Sequence, residues 1–461
     1  MTKIGKSTSS RRGRKQQDRA QLKPQDRTLG LSVVHPQAAG IDVGNAEHYV
    51  AIPPHLDAEP VRMFGCFTAD LHRLADWLQQ RGIETAAMQS TGVYWIALYD
   101  ILSERGIKVF LVNARDTKNM PGRKTDVQEC QWLLKLHVYG LLKNSFRPEE
   151  EICVMRSLWR QRQQHIGDAS RRIQHMQKAL TQMNVQLANV IGDLSGWTGQ
   201  AILRAILKGE RDPRELAKLR DARVKASAEQ IAKSLEGNWR MELLFILRQE
   251  YDSYQSLQRQ IQECDQELQK HFQTMRQKAD PEQLEPVARN KRPHGNVPEN
   301  LDLRDELYRI TGVDLIQIDG MNVRTAQTVI AECGYDMSRW ETEGHFVSPR
   351  NKISGGKVIG REGRKVVNRA GQALRTAACT LLRSGSYLGA QYRRLRAKLG
   401  APKAIKAMAN KLARILYRLL KHGQSYVDKG AECYEQKYRQ QQIQMLTKRA
   451  TSLGLQLIQS A

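Results

Sequence analysis

A group of cations leads directly into two carboxylates in the first third of the chain. The cations are Arg115, Lys118, Arg123 and Lys124, and the turn-forming pair Pro121-Gly122 lies between them. Asp126 and Glu129 follow at i and i+3, so both face the same way from the first turn of a predicted helix. Acids at that position can simply match the helix dipole. Because cations that can bind phosphates lie beside them, these two acids can instead hold a metal ion for phosphoryl transfer on nucleic acid.

Two more oxygen ligands come earlier in the sequence. Asp42 lies in a predicted strand at 39–44, and Gln89 ends a later predicted strand, just before Ser90-Thr91-Gly92. In a ribonuclease-H-like sheet these two places and the helix start at Asp126 converge at one edge. Ions such as Mg²⁺ or Mn²⁺ bind several hard oxygens at one point. The sequence therefore predicts a metal site made of Asp42, Gln89, Asp126 and Glu129.

A candidate nucleophile, Ser354, lies in the segment NKISGGK at 351–357. The two glycines allow positive φ and a close backbone approach. A hydroxyl on such a turn could attack a phosphodiester if a metal or base activated it. The alternative is a flexible turn with an incidental serine. Cations that would contact phosphates flank the serine: Lys352, Lys357, Arg361, Arg364, Lys365 and Arg369.

The composition predicts a polyanionic partner. The 461 residues include 73 Lys and Arg against 48 Asp and Glu, which gives a net charge of +25. No apolar run is long enough for a membrane span and no signal peptide opens the chain, so nucleic acid is favoured over a membrane. The seven cysteines are scattered without a CxxC pair. This favours a reducing cytoplasm and argues against a disulfide framework or a zinc site.

The patterns along the chain predict several domains. A basic tail at 1–37 is expected to be disordered, and it either lies on nucleic acid or only aids solubility. Residues 38–150 show three strand patterns in a meander, then alternation of strands and helices that ends with the helix from Asp126. This order predicts a mixed sheet covered by helices.

In the middle of the chain the apolar residues recur with the spacing of long helices. Apolar residues fall on a heptad stripe from Ile166 to Leu194, and a second helical stripe runs from Leu247 to Leu268. Two long antiparallel helices and an intermolecular coiled coil both fit residues 151–276, and two ordinary bundle helices are the plainer alternative. The proline-containing stretch at 277–300 is typical of a linker.

Residues 301–424 are predicted to be mostly helical, and 425–461 to form a helical tail. Residues 315–333 are expected to form a helix, a turn at Gly320 and a second helix, the helix-hairpin-helix pattern, whose turn can offer N–H groups to a phosphate. A plain helical corner is the alternative. A later helix carries a basic stripe, which on a core helix can simply be its solvated face. The stripe consists of Lys411, Arg414, Arg418 and Lys421.

Long motifs in this order make the chain resemble the 110 family of insertion-sequence transposases and, within it, the 1111 subgroup. Piv-type DNA invertases are related to this family. The motifs extend from about residue 38 to about residue 424: GIDVGNAEHYVA, STGVYWIALYDIL, VNARDTKNMPGRKTDVQECQWLLKLHVYGLL, DGMNVRTAQTVIAECG, NKISGGK and NRAGQALRTAA.

The resemblance implies a multidomain fold: a RuvC-like domain with a DEDD acidic set, a coiled coil for dimer or tetramer formation, and a C-terminal transposase domain. It implies that a serine attacks double-stranded DNA of the element ends and target, with Mg²⁺ or Mn²⁺ at the acids and a structured element-encoded RNA as guide. Asp42, Gln89, Asp126 and Glu129 then occupy the acidic positions, and Ser354 that of the nucleophile. The expected location is the bacterial cytoplasm, in association with the nucleoid.

The chain departs from the family pattern at three places. Gln89 stands where an acid is expected, Glu129 stands where an aspartate is expected, and the segment at 345–349 is short. The amide oxygen of Gln89 can still bind Mg²⁺, but one negative charge is missing. Two alternatives therefore remain open: a metal-dependent junction nuclease that uses water, and a copy that binds nucleic acid without cleaving it.

Overall fold

A computed structural model describes residues 31–89, 92–117, 125–286, 295–347, 350–355, 357–362, 368–423, 425–456 and 458. The chain forms two compact units. Unit 1 is Met1–Arg147 and unit 2 is Pro148–Ala461. None of the helices in the described ranges is both long and apolar enough to cross a membrane.

Unit 1 contains one five-stranded sheet in the order β3-β2-β1-β4-β5. Its strands are β1 (Ala38–Val43), β2 (Glu47–Ala51), β3 (Val61–Gly65), β4 (Thr85–Gln89) and β5 (Lys108–Val112). The β1–β2 and β2–β3 pairs are antiparallel, and the β1–β4 and β4–β5 pairs are parallel. The helices are α1 (Thr68–Gln80), α2 (Trp95–Glu104), α3 (Ala114–Thr117) and α4 (Asp126–Val138). The predicted mixed sheet with helices is confirmed.

Helices cover both faces of this sheet. Successive strand residues point to opposite faces, and Ile41 and Met88 share a core with Leu74 of α1 and Leu98 of α2. On the other face, α4 packs against Ala38 of β1, Ala87 of β4 and Val112 of β5. The strand alternation thus assigns each position of β1 and β4 either to the α1–α2 face or to the α4 face.

Unit 2 is built on two long helices, α5 (Glu150–Gln182) and α9 (Met241–Thr274). They run antiparallel, since Arg162 pairs with Asp265 while Arg172 pairs with Glu250. Of the two arrangements that fit the heptad stripes, the helices adopt the pairing within one chain. The coiled-coil assignment and its role in oligomerisation stay predictions.

Between these helices the chain forms a cap with its own core. The cap helices are α6 (Trp197–Leu207), α7 (Pro213–Ala217) and α8 (Ala228–Ser234), with a 3₁₀ turn at Leu187–Asn189. Leu203 and Ile231 of the cap pack against Leu180 of α5 and Leu247 of α9. The residues between the two helical stripes of the sequence therefore form a helical insertion at one end of the pair α5 and α9.

The remaining elements of unit 2 pack against the other end of the long pair. They are α10 (Leu303–Thr311), α11 (Val323–Cys333), α12 (Glu343–Val347), β6 (Arg350–Ser354), β7 (Lys357–Glu362), α13 (Arg369–Thr380), α14 (Tyr387–Leu399), α15 (Ala401–His422) and α16 (Gly430–Ser452). Trp159 of α5 and Phe272 of α9 share one core with Ile330, Leu374 and Leu412. One core therefore includes residues from both the predicted middle region and the predicted C-terminal domain.

The prediction of a helix before the turn at Gly320 is wrong. Leu315–Gln317 is a single 3₁₀ turn, and α10 already ends at Thr311, with Gly312 at φ +75° as its C-cap. Asp314 caps the short turn through Ile316 N, and Gly320 has φ +83°. The second helix, α11, does begin where the sequence indicated, because the side chain of Asn322 accepts from Thr325 N at 2.8 Å. The helix-hairpin-helix assignment stays a prediction.

Candidate active site

Asp42 and Gln89 belong to the α4 face of the sheet. Ile41 and Met88 belong to the α1–α2 face, so their neighbours Asp42 and Gln89 point the other way. Ile41 pairs with Met88 in the parallel register, which brings Asp42 and Gln89 level on adjacent strands. Both side chains are half-buried. The sheet thus places two of the four predicted ligands side by side beneath α4.

The first turn of α4 supplies the other two. Thr125 caps the helix by accepting from Gln128 N at 3.3 Å, and the Gln128 side chain accepts from Thr125 N in return. This capping box fixes the helix start, and Asp126 and Glu129 both lie in that turn. Asp126 is exposed and Glu129 is half-buried.

A glycine lets α4 approach β1 closely enough to join these groups. A Cβ atom at Gly40 would lie 2.2 Å from Leu134 N and 2.3 Å from Cys130 O. Both are backbone atoms of α4, so they cannot move aside without shifting the helix. Gly40 is therefore required by helix–strand contact, two residues before Asp42 on the same face of the strand.

Two of the acids lie beside one buried sulfur. The pKa of the Cys130 thiol is raised to about 12, chiefly by burial, and the nearby charges of Asp42 and Asp126 contribute to this rise. The pKa of Tyr49, the sheet partner of Asp42, is raised mainly by Glu47 and also by Asp126. Asp42 and Asp126 therefore act on the same small region, at the end of β1 under the start of α4.

Gln89 is held by a network that the sequence did not reveal. Thr117 Oγ1, in α3, lies 3.0 Å from Gln89 Oε1 and 3.0 Å from Ala114 O. The hydroxyl has one proton for these two acceptors. Trp132 of α4 donates to Thr117 O at 3.3 Å. Buried Thr117 thus ties the Gln89 amide to α3 and α4 and sets its orientation.

The donor chemistry of this corner suits Mg²⁺, since carboxylate and amide oxygens are hard ligands. Among the described residues, however, no group of three or more His, Cys, Asp or Glu side chains is placed to hold a metal ion. Gln89, one of the four predicted ligands, is not an acid and so cannot count toward such a group. We call Asp42, Gln89, Asp126 and Glu129 together the acidic corner.

Ser354 lies in unit 2, at the tip of a hairpin. β6 and β7 pair antiparallel, with Ser354 opposite Lys357 across the turn. Gly355 has φ +55°, the left-handed conformation that glycine adopts without strain. Ser354 and Lys357 are both exposed. We call β6, the turn and β7 the serine hairpin; α13 follows it, with Asn368 as its cap and exposed Arg369 as its first residue.

Several of the predicted phosphate contacts fall outside the described part of the chain. These are Lys118, Arg123, Lys124, Arg364 and Lys365, together with the side chains of Arg115, Lys352 and Arg361. The basic stripe of α15 is described, and part of it has partners within unit 2. Arg414 and Arg418 pair with Glu343, while Lys421 donates to the carbonyls of Trp340 and Glu341 at 2.9 Å.

The segment from β1 to the end of α5 contains the sheet, α4 and the four predicted metal ligands. Residues 39–185 match the family model DEDD_Tnp_IS110, whose description is transposase. The match covers about a third of the chain and supports the family that the sequence motifs resemble, the IS110 family of transposases. No curated protein matches the chain.

Proposed function

We propose that this transposase, a member of the 1111 subgroup, cuts and rejoins DNA through a covalent phosphoserine at Ser354. The observation that carries the proposal is the exposed hydroxyl of Ser354 on a glycine turn, opposite Lys357. Residues 39–185 of the same chain match a transposase family model. An attacking oxygen must be accessible to a DNA backbone, and a neighbouring cation favours the approach of a phosphate.

The chemistry needs no co-reactant. Ser354 Oγ attacks a backbone phosphorus, the new Oγ–P bond forms, and the bond from phosphorus to one bridging oxygen breaks. The serine loses its proton and the departing oxygen gains one, so a strand end with a free hydroxyl remains. Attack by a hydroxyl of another strand on the phosphoserine reverses these changes and joins the two strands.

The acidic corner has a different part in the proposal. Asp42, Asp126 and Glu129, with the neutral oxygen of Gln89, would hold Mg²⁺ or Mn²⁺. A bound ion of this kind would stabilise negative charge on the phosphate oxygens. The chain contributes the positions of the ligands: β1 and β4 fix Asp42 and Gln89 level with each other, and the capped start of α4 fixes the other two. The strand order of the sheet supports the RuvC-like assignment.

Three further parts of the proposal concern partners. Element-end and target DNA would be the substrates, and a structured RNA from the element would pair with both. The excess of cations over acids supports polyanionic partners. A homo-oligomer would allow the acidic corner of one subunit to act with Ser354 of another, in the cytoplasm and close to the nucleoid.

The test is a covalent adduct between the purified protein and donor-end DNA in Mg²⁺, detected as a shifted band under denaturing conditions. Ser354→Ala should abolish the adduct while DNA binding is retained. Ser425→Ala is the matched control, because Ser425 is also an exposed serine of unit 2 but lies outside the serine hairpin. A Ser354→Ala protein that still forms the adduct would refute the assignment of the nucleophile.

A second candidate function is nucleic-acid binding without cleavage. It is favoured by the lack, among the described residues, of three converging acidic or imidazole ligands. In that case the wild-type chain forms no adduct in Mg²⁺, and Gln89→Glu restores one. Cleaved DNA with free ends and no adduct would instead indicate a nuclease that uses water.

A further inference from the structure

Unit 2 contains a cavity of about 350 Å³ between α12, α14 and α15. Leu395 of α14 and Met408 and Ile415 of α15 form its apolar wall. Small-molecule pockets commonly measure about 300–1,000 Å³. The cavity therefore suits one small flat molecule and is too small for a helix or a nucleic-acid duplex.

One polar atom at the cavity needs a partner. Gln391 Oε1 is buried and accepts no hydrogen bond within the described part of the chain. A buried acceptor without a donor costs about 1–3 kcal/mol. Gln391 lines the cavity, and Asn410 adds a second amide to the lining. Rotation of the Gln391 amide toward the cavity would let this oxygen accept from an N–H group on the edge of a ligand.

Cations of α15 lie beside the amides. Lys411, Arg414 and Arg418 line the cavity, and Glu343 is the one carboxylate among its lining residues. Glu343 pairs with both arginines, whereas half-buried Lys411 has no ion pair within the described ranges. Three cations against one carboxylate leave the lining positive, with Lys411 available to an anion.

We propose that this cavity binds a single unstacked nucleotide of a single-stranded nucleic acid. Its base lies against Leu395, Met408 and Ile415, a base N–H donates to Gln391 Oε1, and its phosphate contacts Lys411. An adenine amino group pairs well with a side-chain amide, and a base taken out of its stack can be held between apolar side chains. The site is separate from the serine hairpin and does not depend on strand cleavage.

The test uses 8-azidoadenosine monophosphate as a photoreactive probe on the full-length protein, with the labelled peptides identified by mass spectrometry. Label is expected in α14 and α15. Excess AMP should suppress the label at least tenfold, while ribose 5-phosphate and inorganic phosphate should not. A deoxy-AMP competitor identifies the source of the nucleotide: equal competition admits DNA, and weaker competition indicates RNA.

Variants assign the contacts. Gln391→Leu and Lys411→Ala should each reduce labelling about tenfold, the loss expected for about 1.4 kcal/mol of binding. Lys406→Ala is the matched control, because Lys406 is exposed on α15 and does not line the cavity. Circular dichroism checks that each variant folds. If Gln391→Leu does not fold, the labelling of Lys411→Ala alone tests the proposal.

Three results would overturn the proposal. They are label outside α14 and α15, equal suppression by ribose 5-phosphate and AMP, and equal loss of label in Lys406→Ala and Lys411→Ala. The Ser354→Ala protein should label like the wild type. Failure of the cleavage proposal therefore does not affect the labelling test, and failure of the nucleotide proposal does not affect the adduct test.

Discussion

The acidic corner and the serine hairpin place their reactive groups by opposite means. Asp42 and Gln89 project from the middle of a five-stranded sheet, and the backbone of α4 packs closely against that sheet at Gly40. Ser354 projects from a two-stranded sheet and is exposed. An isolated two-stranded hairpin is marginally stable in water. The comparison teaches that the positions of the proposed metal ligands are fixed by the core of unit 1, whereas the position of the serine depends on its own turn.

The largest difference is expected from Asp126→Ala. Asp126 is exposed at the start of α4, so its removal should leave unit 1 folded while it removes a proposed metal ligand. Loss of one such electrostatic group typically slows a reaction by on the order of a thousandfold. The rate of adduct formation on donor-end DNA in Mg²⁺ measures this effect.

Glu150→Ala is the control for that experiment. Glu150 is an exposed acid in the first turn of α5, so its loss has the same effect on a helix dipole as the loss of Asp126. Adduct formation should be unchanged in this variant. If Asp126→Ala forms adduct at the wild-type rate, the acidic corner is not the metal site.

The pH dependence of stability should also separate the two units. Burial, and secondarily the charge of His35, lowers the pKa of His137 to about 4. The unfolded chain, with an ordinary pKa near 6.5, therefore binds more protons between these values. This contribution to stability is complete above pH 6.5 and is lost as pH falls toward 4. Unit 1 should lose about 2 kcal/mol between pH 7.5 and 5.

Hydrogen exchange followed by mass spectrometry reads this loss for each unit separately. His137 Nε2 lies 2.9 Å from Thr85 Oγ1, and a glutamine can keep that contact, so His137→Gln should flatten the dependence in unit 1. His422→Gln, at an exposed position of α15, should change nothing. Buried His48, whose pKa burial also lowers, adds to the same trend. Equal pH sensitivity in His137→Gln and wild type would contradict this account.

Gly40→Ala should displace the residues of the acidic corner and leave the structure of the serine hairpin unchanged. The added methyl group meets the backbone of α4 at 2.2 Å, and overpacking of this kind costs about 1–3 kcal/mol. The melting temperature of unit 1 should decrease. The rate of adduct formation should also decrease, because Asp126 moves away from Asp42. Differential scanning calorimetry and the adduct assay measure the two effects.

Gly167→Ala provides a control with the opposite sign. Gly167 lies inside α5, and an added Cβ there meets nothing within 4 Å. Alanine at a helix interior is favoured over glycine by about 1 kcal/mol, so this variant should be slightly more stable. Equal melting temperatures for the two variants would show that close contact with α4 is not what requires Gly40.

Local sequence patterns predicted the secondary-structure elements of the acidic corner but not the contacts between elements that are distant in the sequence. The five strands and the start of α4 follow from local patterns, which is why Asp42, Gln89 and Asp126 were found at strand and helix ends. Gly40 was missed because its role depends on α4, some 90 residues later in the chain. Thr117 was missed for the same reason, since its partner Gln89 is 28 residues away. The helix expected from residue 315 to the turn at Gly320 is a single 3₁₀ turn, because the backbone is already extended at Ile318.

Gly355→Ala should have the smallest effect, and it tests whether the serine depends on its turn alone. Gly355 has φ +55°, where an alanine is disfavoured by about 1 kcal/mol. Adduct formation should slow about fivefold, while the melting temperature stays constant because the hairpin tip lies outside the cores. Gly385→Ala, where an added Cβ meets nothing within 4 Å, should change neither quantity. A marked fall in melting temperature for Gly355→Ala would show that the hairpin is part of the folded core, and the contrast between the two regions would fail.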